Sequence, residues 1–142
     1  MHIRNFKIED YEQIIKLWEI CELPYKPKGR DSKEKIQQEL KKGIAIFLLA
    51  MEDEEIFGSV LATHDGRKGW INRLSVLPGY RRKGIGRRLV KEAEKRFEKE
   101  GIEIYACLIE EGNETSLEVF NSLGYDEFPG MHYLTSRKYP GV

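Results

Sequence analysis

Cysteine is scarce in this chain of 142 residues: Cys21 and Cys107 are the only two. Two thiols can build neither a disulfide framework nor a four-ligand zinc site. Net charge is missing as well, because 24 basic residues balance 24 acidic ones. Proteins that coat a polyanion carry a positive excess, so this balance argues against nucleic acid as a partner. No apolar run approaches the roughly 18 residues of a membrane span, which argues against a membrane partner. The opening Met1-His2-Ile3-Arg4-Asn5 has no apolar stretch of the kind a secretory signal needs. Histidine is limited to His2, His64 and His132, too scattered to imply a metal. No repeat, low-complexity tract or Gly/Ser linker divides the sequence. The expectation is a soluble, reduced, cytoplasmic protein without metal, folded as one domain over residues 1–142.

Apolar residues make up 40% of the chain, enough for a packed core. Their periodicity predicts a short strand over 2–6 and a helix from Asp10 to about Cys21, with Ile14, Ile15, Leu17 and Trp18 buried. Leu23-Pro24-Tyr25-Lys26-Pro27-Lys28-Gly29-Arg30 reads as a loop. A second helix, capped by Asp31 or Ser32, runs to about Lys42. Ile44–Met51 is continuously apolar, the mark of a strand covered on both faces. Strands are expected at Ile56–Thr63 and Trp70–Leu77. A long helix from Gly84 to Gly101 turns Ile85, Leu89, Val90, Ala93 and Phe97 inward. Ile102–Ile109 reads as a strand, and a short helix runs from Asn113 or Thr115 to Leu123. Tyr125–Phe128 and Met131–Lys138 are expected to close the fold as a hairpin. The order β α α β β β α β α β β predicts an α/β (α+β) domain with one mixed sheet and helices on its faces.

The chemically informative segment is Leu74-Ser75-Val76-Leu77-Pro78-Gly79-Tyr80-Arg81-Arg82-Lys83-Gly84-Ile85-Gly86-Arg87-Arg88-Leu89. A strand ends, a loop follows, and a helix opens on two glycines. The first amides of a helix have no intrahelical acceptor, and the helix dipole favours an anion there. Glycine at 84 and 86 removes the Cβ atoms that would hold a ligand off the backbone. Five cations in eight residues, with no acid among them, add forked donors for phosphate. The implied chemistry is pyrophosphate binding. A P-loop is excluded, because no Gly-Lys-Ser/Thr follows at the required spacing. A dinucleotide fingerprint fails at its third small position, where Leu89 stands, although Glu103 lies near the distance of the ribose-binding acid.

The pattern Arg81-x-x-Gly84-x-Gly86 after Val76-Leu77-Pro78 resembles the acetyl-CoA signature of the GNAT superfamily of N-acetyltransferases. A second block, Asn113-Glu114-Thr115-Ser116-Leu117-Glu118-Val119-Phe120-Asn121-Ser122-Leu123-Gly124-Tyr125, resembles the later motif of that family. The element order matches over the whole chain. The resemblance implies a mostly antiparallel sheet in which Leu74–Val76 splays away from Ile104–Leu108, with the pantetheine arm of acetyl-CoA in the gap. It assigns Leu74, Ser75 and Val76 to that arm, and Arg81, Arg82, Lys83, Gly84, Ile85, Gly86 and Arg87 to the pyrophosphate. It brings Asn113 and Phe120 to the pantetheine. It places the acceptor beneath the loop that carries Tyr25 and Arg30, with Tyr133 reaching in from the last hairpin.

Two family features are absent. Phe120 stands where many members carry a tyrosine that protonates the departing thiolate. Asn72 and Arg73 stand where a glutamate is familiar. The carboxylates left for base work are Glu110 and Glu111. Without a strong base the acceptor must supply its own neutral amine. At pH 7 roughly a tenth of an α-amine is neutral, against about one part in 2,500 for a lysine side chain. An amine acceptor of low pKa is therefore expected, a small molecule or a protein N-terminus, attacking the thioester directly. A non-catalytic acyl-CoA-binding or sensor protein is the alternative. Edge strands of the C-terminal hairpin make a homodimer possible.

Overall fold

The computed structural model describes all 142 residues. Nine elements follow one another: β1 (His2–Asn5), α1 (Tyr11–Ile20), α2 (Lys33–Lys42), β2 (Ala45–Glu52), β3 (Glu55–His64), β4 (Gly69–Val76), α3 (Ile85–Lys99), β5 (Tyr105–Cys107) and α4 (Glu114–Ser122). Single 3-10 turns precede α1 at Ile8–Asp10 and α3 at Pro78–Tyr80. One five-stranded sheet has the order β1-β2-β3-β4-β5. The first three pairings are antiparallel and the last is parallel. Helix boundaries follow local chemistry. The Ser32 hydroxyl accepts the Lys35 amide at the start of α2, and Gly43 ends it in the left-handed region. The Asn113 side-chain oxygen, Oδ1, accepts the Ser116 amide at the start of α4.

The sheet carries a core on each face. Phe47 and Leu49 of β2 and Leu61 of β3 meet Ile14, Leu17, Trp18 and Ile36 from α1 and α2. Leu48, Ala50, Val60, Ala62 and Ile71 meet Ile85, Leu89, Val90, Ala93 and Phe97 of α3, with Phe120 of α4 beside them. The continuous apolar run of β2 is thus explained, since alternate residues enter opposite cores. Each large side chain so buried contributes about 1.5–3 kcal/mol.

Two expectations are corrected. The strand expected over Ile102–Ile109 shrinks to three residues, because pairing with β4 stops at Ile71. The hairpin expected from Tyr125–Phe128 and Met131–Lys138 does not form strands. From 126 to 138 no main-chain group pairs with another. Phe128, Met131, Tyr133 and Leu134 are left exposed, so nothing drives the segment onto the sheet. The edge on which a dimer was expected to pair is therefore unformed. No helix is long and apolar enough to cross a membrane.

Candidate functional site

The site begins with an irregularity in β4. Leu61 pairs with Arg73 and Ala62 pairs with Ile71, so Asn72 is an extra residue in its strand. The bulge ends the β4–β5 ladder at Ile71 opposite Cys107, and it reverses the faces beyond it. Ile71 points at α3, and after the bulge Leu74 and Val76 do so instead. The main-chain direction follows from the ladder to β3. The Leu77 amide donates to the Phe57 carbonyl at 2.9 Å, so positions 75 and 77 face β3 and positions 74 and 76 face away. The Val76 carbonyl confirms this, accepting from Arg81 Nε at 2.9 Å and Cys21 Sγ at 3.4 Å instead of from a strand. The Leu74 amide and carbonyl and the Val76 amide remain on an open edge.

That edge lines a cleft of about 1270 Å³ running between β4 and β5. One end is closed by the turn before α3. Every amide from Arg82 to Arg87 lacks a protein acceptor; the ladder of α3 resumes with Arg88 donating to the Gly84 carbonyl. Arg82 and Gly84 both sit at positive φ, 64° and 77°, which curls successive N–H groups toward one point. A non-glycine residue in that region costs about 1 kcal/mol, a strain of the kind that collects at ligand sites. None of Arg81, Arg82, Lys83, Arg87 and Arg88 pairs with an acid. A Cβ on Gly86 would lie 3.7 Å from both Leu74 and Val119, so the helix start leans directly on the cleft wall. This end is a concave, cationic array of free donors, the arrangement a diphosphate needs.

Most residues expected at this end gather there. Leu74, Ser75, Val76, Arg81, Arg82, Gly84, Ile85, Gly86, Arg87, Asn113 and Phe120 all line the cleft. Lys83 does not. It lies over the Tyr80 ring at 5.6 Å and lines a neighbouring groove with Arg88 and Lys91. Its side chain alternates away from the curled backbone. The Ser75 hydroxyl is buried against Ser59 at 2.8 Å, so Ser75 offers the cleft little polarity.

Phe120 is buried and packs edge-on against Tyr125 at 4.9 Å. Tyr125 does not replace the missing phenol. Its hydroxyl donates to Glu94 at 2.7 Å, and burial and that carboxylate raise its proton affinity far above the ordinary tyrosine range. Burial likewise pushes the Cys107 thiol, also on the cleft, up to about 11.

The other end is assembled from distant parts of the chain. Arg30, Asp31, Glu39, Thr63, Asn72, Arg73 and Tyr133 line it. Asp31 is 3% exposed and its Oδ2 accepts from the Lys26 amide at 2.7 Å and from Arg73 Nη2 at 2.6 Å. Arg30 Nε lies 3.9 Å from the same oxygen. Glu39 is half-buried on α2; burial, then the charge of Asp31, raises its carboxyl above the ordinary glutamate range. Tyr25 is absent from the lining. It packs near Trp18 and donates to Glu19 at 2.6 Å, which turns its hydroxyl away. Glu110 and Glu111 stand exposed on the rim. Glu39 carried no signal in the sequence: one more charge on a helix of charges, set apart only by the fold.

The sequence model of the acetyltransferase (GNAT) family matches residues 11–125. Among solved structures, the chain is similar to the PaiA N-acetyltransferase of Thermoplasma acidophilum in complex with coenzyme A. Identity is 24%, the TM-score 0.74, and 86% of this chain and 87% of that one are covered. It is also similar to the aminoglycoside N-acetyltransferase AAC(6')-Iy bound to a bisubstrate analogue, at 19% identity and TM-score 0.79, covering 96% and 97%. A third likeness is to an aminoglycoside acetyltransferase from a soil metagenomic sample in complex with sisomicin, at 18% identity and TM-score 0.73, covering 96% of each chain. These likenesses bear on the fold. The family match spans most of the chain, and the chain belongs to the GNAT family of acetyltransferases.

Proposed function

We propose that this GNAT acetyltransferase uses the gap between β4 and β5 to bind acetyl-CoA and transfers the acetyl group to an amine at the Glu39 end of the cleft. The observation that carries this reading is the bulge at Asn72, which opens the strand edge beside a run of free amides. The residues fit the donor molecule part by part. Free N–H groups from Arg82 to Arg87 and the unpaired cations suit a diphosphate. The open edge at Leu74 and Val76 suits the amides of the pantetheine arm, which would pair as an added strand does. Acetyl-CoA supplies an activated thioester carbonyl.

The chain's own residues then position and deprotonate the amine. Glu39 is the only half-buried acid on the cleft, and burial, then the charge of Asp31, raises its proton affinity as a base needs, whereas Glu110 and Glu111 stand exposed at the rim. It takes the proton that the attacking nitrogen must lose; Glu110 and Glu111 act at the rim, through water. No proton donor stands at Phe120. A thiolate with a pKa near 8.5 can leave without one and take its proton from water. Positioning by the edge and the amide turn carries much of the rate. An α-amine remains the favoured acceptor. Both cysteines are free, in keeping with a cytoplasmic setting. A homodimer pairing through residues 131–138 would satisfy that bare backbone; a solution mass of 16.6 kDa by sedimentation would exclude it.

The test is CoA release from acetyl-CoA against α-amine peptides, free amino acids, lysine peptides, polyamines and aminoglycosides. Turnover with one class supports the reading and names the acceptor. Binding of acetyl-CoA with no turnover anywhere would make the chain a binding protein instead.

A further inference from the structure

Arg73 is held in a way that a purely structural arginine is not. It follows the bulge on β4, and its side chain turns toward α1 and α2 while Leu74 beside it faces α3. The side chain is 10% exposed, and the guanidinium carbon lies 5.3 Å from the Trp18 ring centre. Nη2 donates to Asp31 Oδ2 at 2.6 Å. Nε is buried without an acceptor. Nη1 has no protein acceptor either and keeps some exposure, and Arg73 is one of the residues that line the cleft.

A second arginine of the same chain shows what full satisfaction looks like. Arg4 gives Nη1 and Nη2 to the two oxygens of Asp10, each at 2.9 Å. Its Nη1 also reaches the Asn5 carbonyl at 2.9 Å, and its Nε meets the Met51 sulfur at 3.0 Å. All three nitrogens of Arg4 are used, although Arg4 is the more exposed of the two. Arg73 is deeper and uses one. A buried guanidinium with most of its donors unmatched is costly, and each such group calls for a partner.

We propose that Arg73 Nη1 binds a carboxylate of the acceptor, so that the acceptor is an amine that also carries a carboxylate, as free amino acids do. The inference rests on the acetyl-transfer reading and sharpens it. Arg30, on the same wall, adds positive potential beside Asp31, while Glu39 offers the opposite sign for the ammonium. Both signs of a zwitterion are met within one pocket. A polycation would meet Arg73 and Arg30 with nothing to offer Nη1.

Isothermal titration of the CoA-loaded protein tests this, using the N-acetyl forms of the twenty amino acids and the corresponding amides. The amides differ only in lacking the charge. At least one N-acetyl amino acid is expected to bind tenfold or more tightly than its amide. Arg73→Lys keeps a cation against Asp31 and should keep the melting temperature and the CoA affinity, but it lacks the free fork nitrogen. In that variant the acid and the amide should bind alike. Equal affinity of acids and amides in the wild type, or no binding of either, would overturn the proposal. So would a preference that survives in Arg73→Lys. A failure to bind CoA at all would instead sink the acetyl-transfer reading, and this inference with it.

Discussion

The two ends of the cleft are built in opposite ways. The diphosphate end uses one stretch of chain, from Leu74 to Arg87, and mostly its backbone: an open strand edge, a curled run of amides and two glycines. The acceptor end uses side chains from the α1–α2 loop, α2, β3, β4 and the C-terminal segment, brought together only by packing. Backbone chemistry at one helix start needs no particular partner elsewhere. Side-chain chemistry needs a second residue at the right place, and that place is a property of the whole fold. The first end should therefore fail by local obstruction, and the second by loss of one charge.

The sharpest way to break the comparison is Gly86→Glu. A carboxylate there takes the place of the diphosphate at the free amides, repels it, and reaches toward Leu74 and Val119. Acetyl-CoA binding by calorimetry should weaken about a thousandfold, ~4 kcal/mol, while the circular dichroism spectrum stays unchanged. Wild-type affinity would mean the donor lies elsewhere.

The next effect belongs to the acceptor end. Asp31→Asn leaves Arg73 buried without its counter-charge, and urea denaturation should show a loss of about 3 kcal/mol. Acetyl-CoA affinity should hold within a few-fold, since Asp31 sits at the other end. A coupled loss of both would mean that the two ends are not separable.

Glu39→Gln should lower kcat/KM for the acceptor by about a hundredfold without changing acetyl-CoA binding. The sign of its pH dependence is fixed by its environment. Its folded proton affinity is raised, first by burial and then by Asp31. The stability it contributes is complete below the ordinary glutamate range and falls as pH rises through the raised folded value. Catalysis runs the other way, because only the ionised carboxylate accepts a proton. The wild-type kcat/KM should climb through that window, and the climb should vanish in Glu39→Gln. An unchanged profile would remove Glu39 from proton transfer.

The smallest effect is Arg82→Gly. Relief of the positive φ should stabilise the fold by about 0.5–1 kcal/mol in thermal melts, at the expense of one cation near the diphosphate. A destabilised variant would show that Arg82 is held by packing and not by the turn.

How much could be read from the chain follows the same division. Val76-Leu77-Pro78 and Arg81-x-x-Gly84-x-Gly86 pointed to the donor end because a free helix start, glycines and clustered arginines are local properties. The double-faced burial of β2 was legible in its unbroken apolar run. The bulge at Asn72 was not, since nothing in Ile71-Asn72-Arg73 marks an unpaired residue until β3 sets the register. Glu39 and the Arg73–Asp31 pair lie 34 and 42 positions from their neighbours across the cleft, Arg73 and Asp31, and no spacing rule connects them. The strands expected after Tyr125 failed because alternation describes a pattern and not a surface to pack on; Met131 and Tyr133 alternate correctly and remain 80% and 67% exposed.

Amide hydrogen exchange with and without acetyl-CoA tests the central claim most directly, because the claim concerns particular N–H groups. Acetyl-CoA should slow exchange at Leu74, Val76 and the amides from Arg82 to Arg87, and should leave those of α2 unchanged. Protection confined to other segments, or none at the β4 edge, would contradict the account.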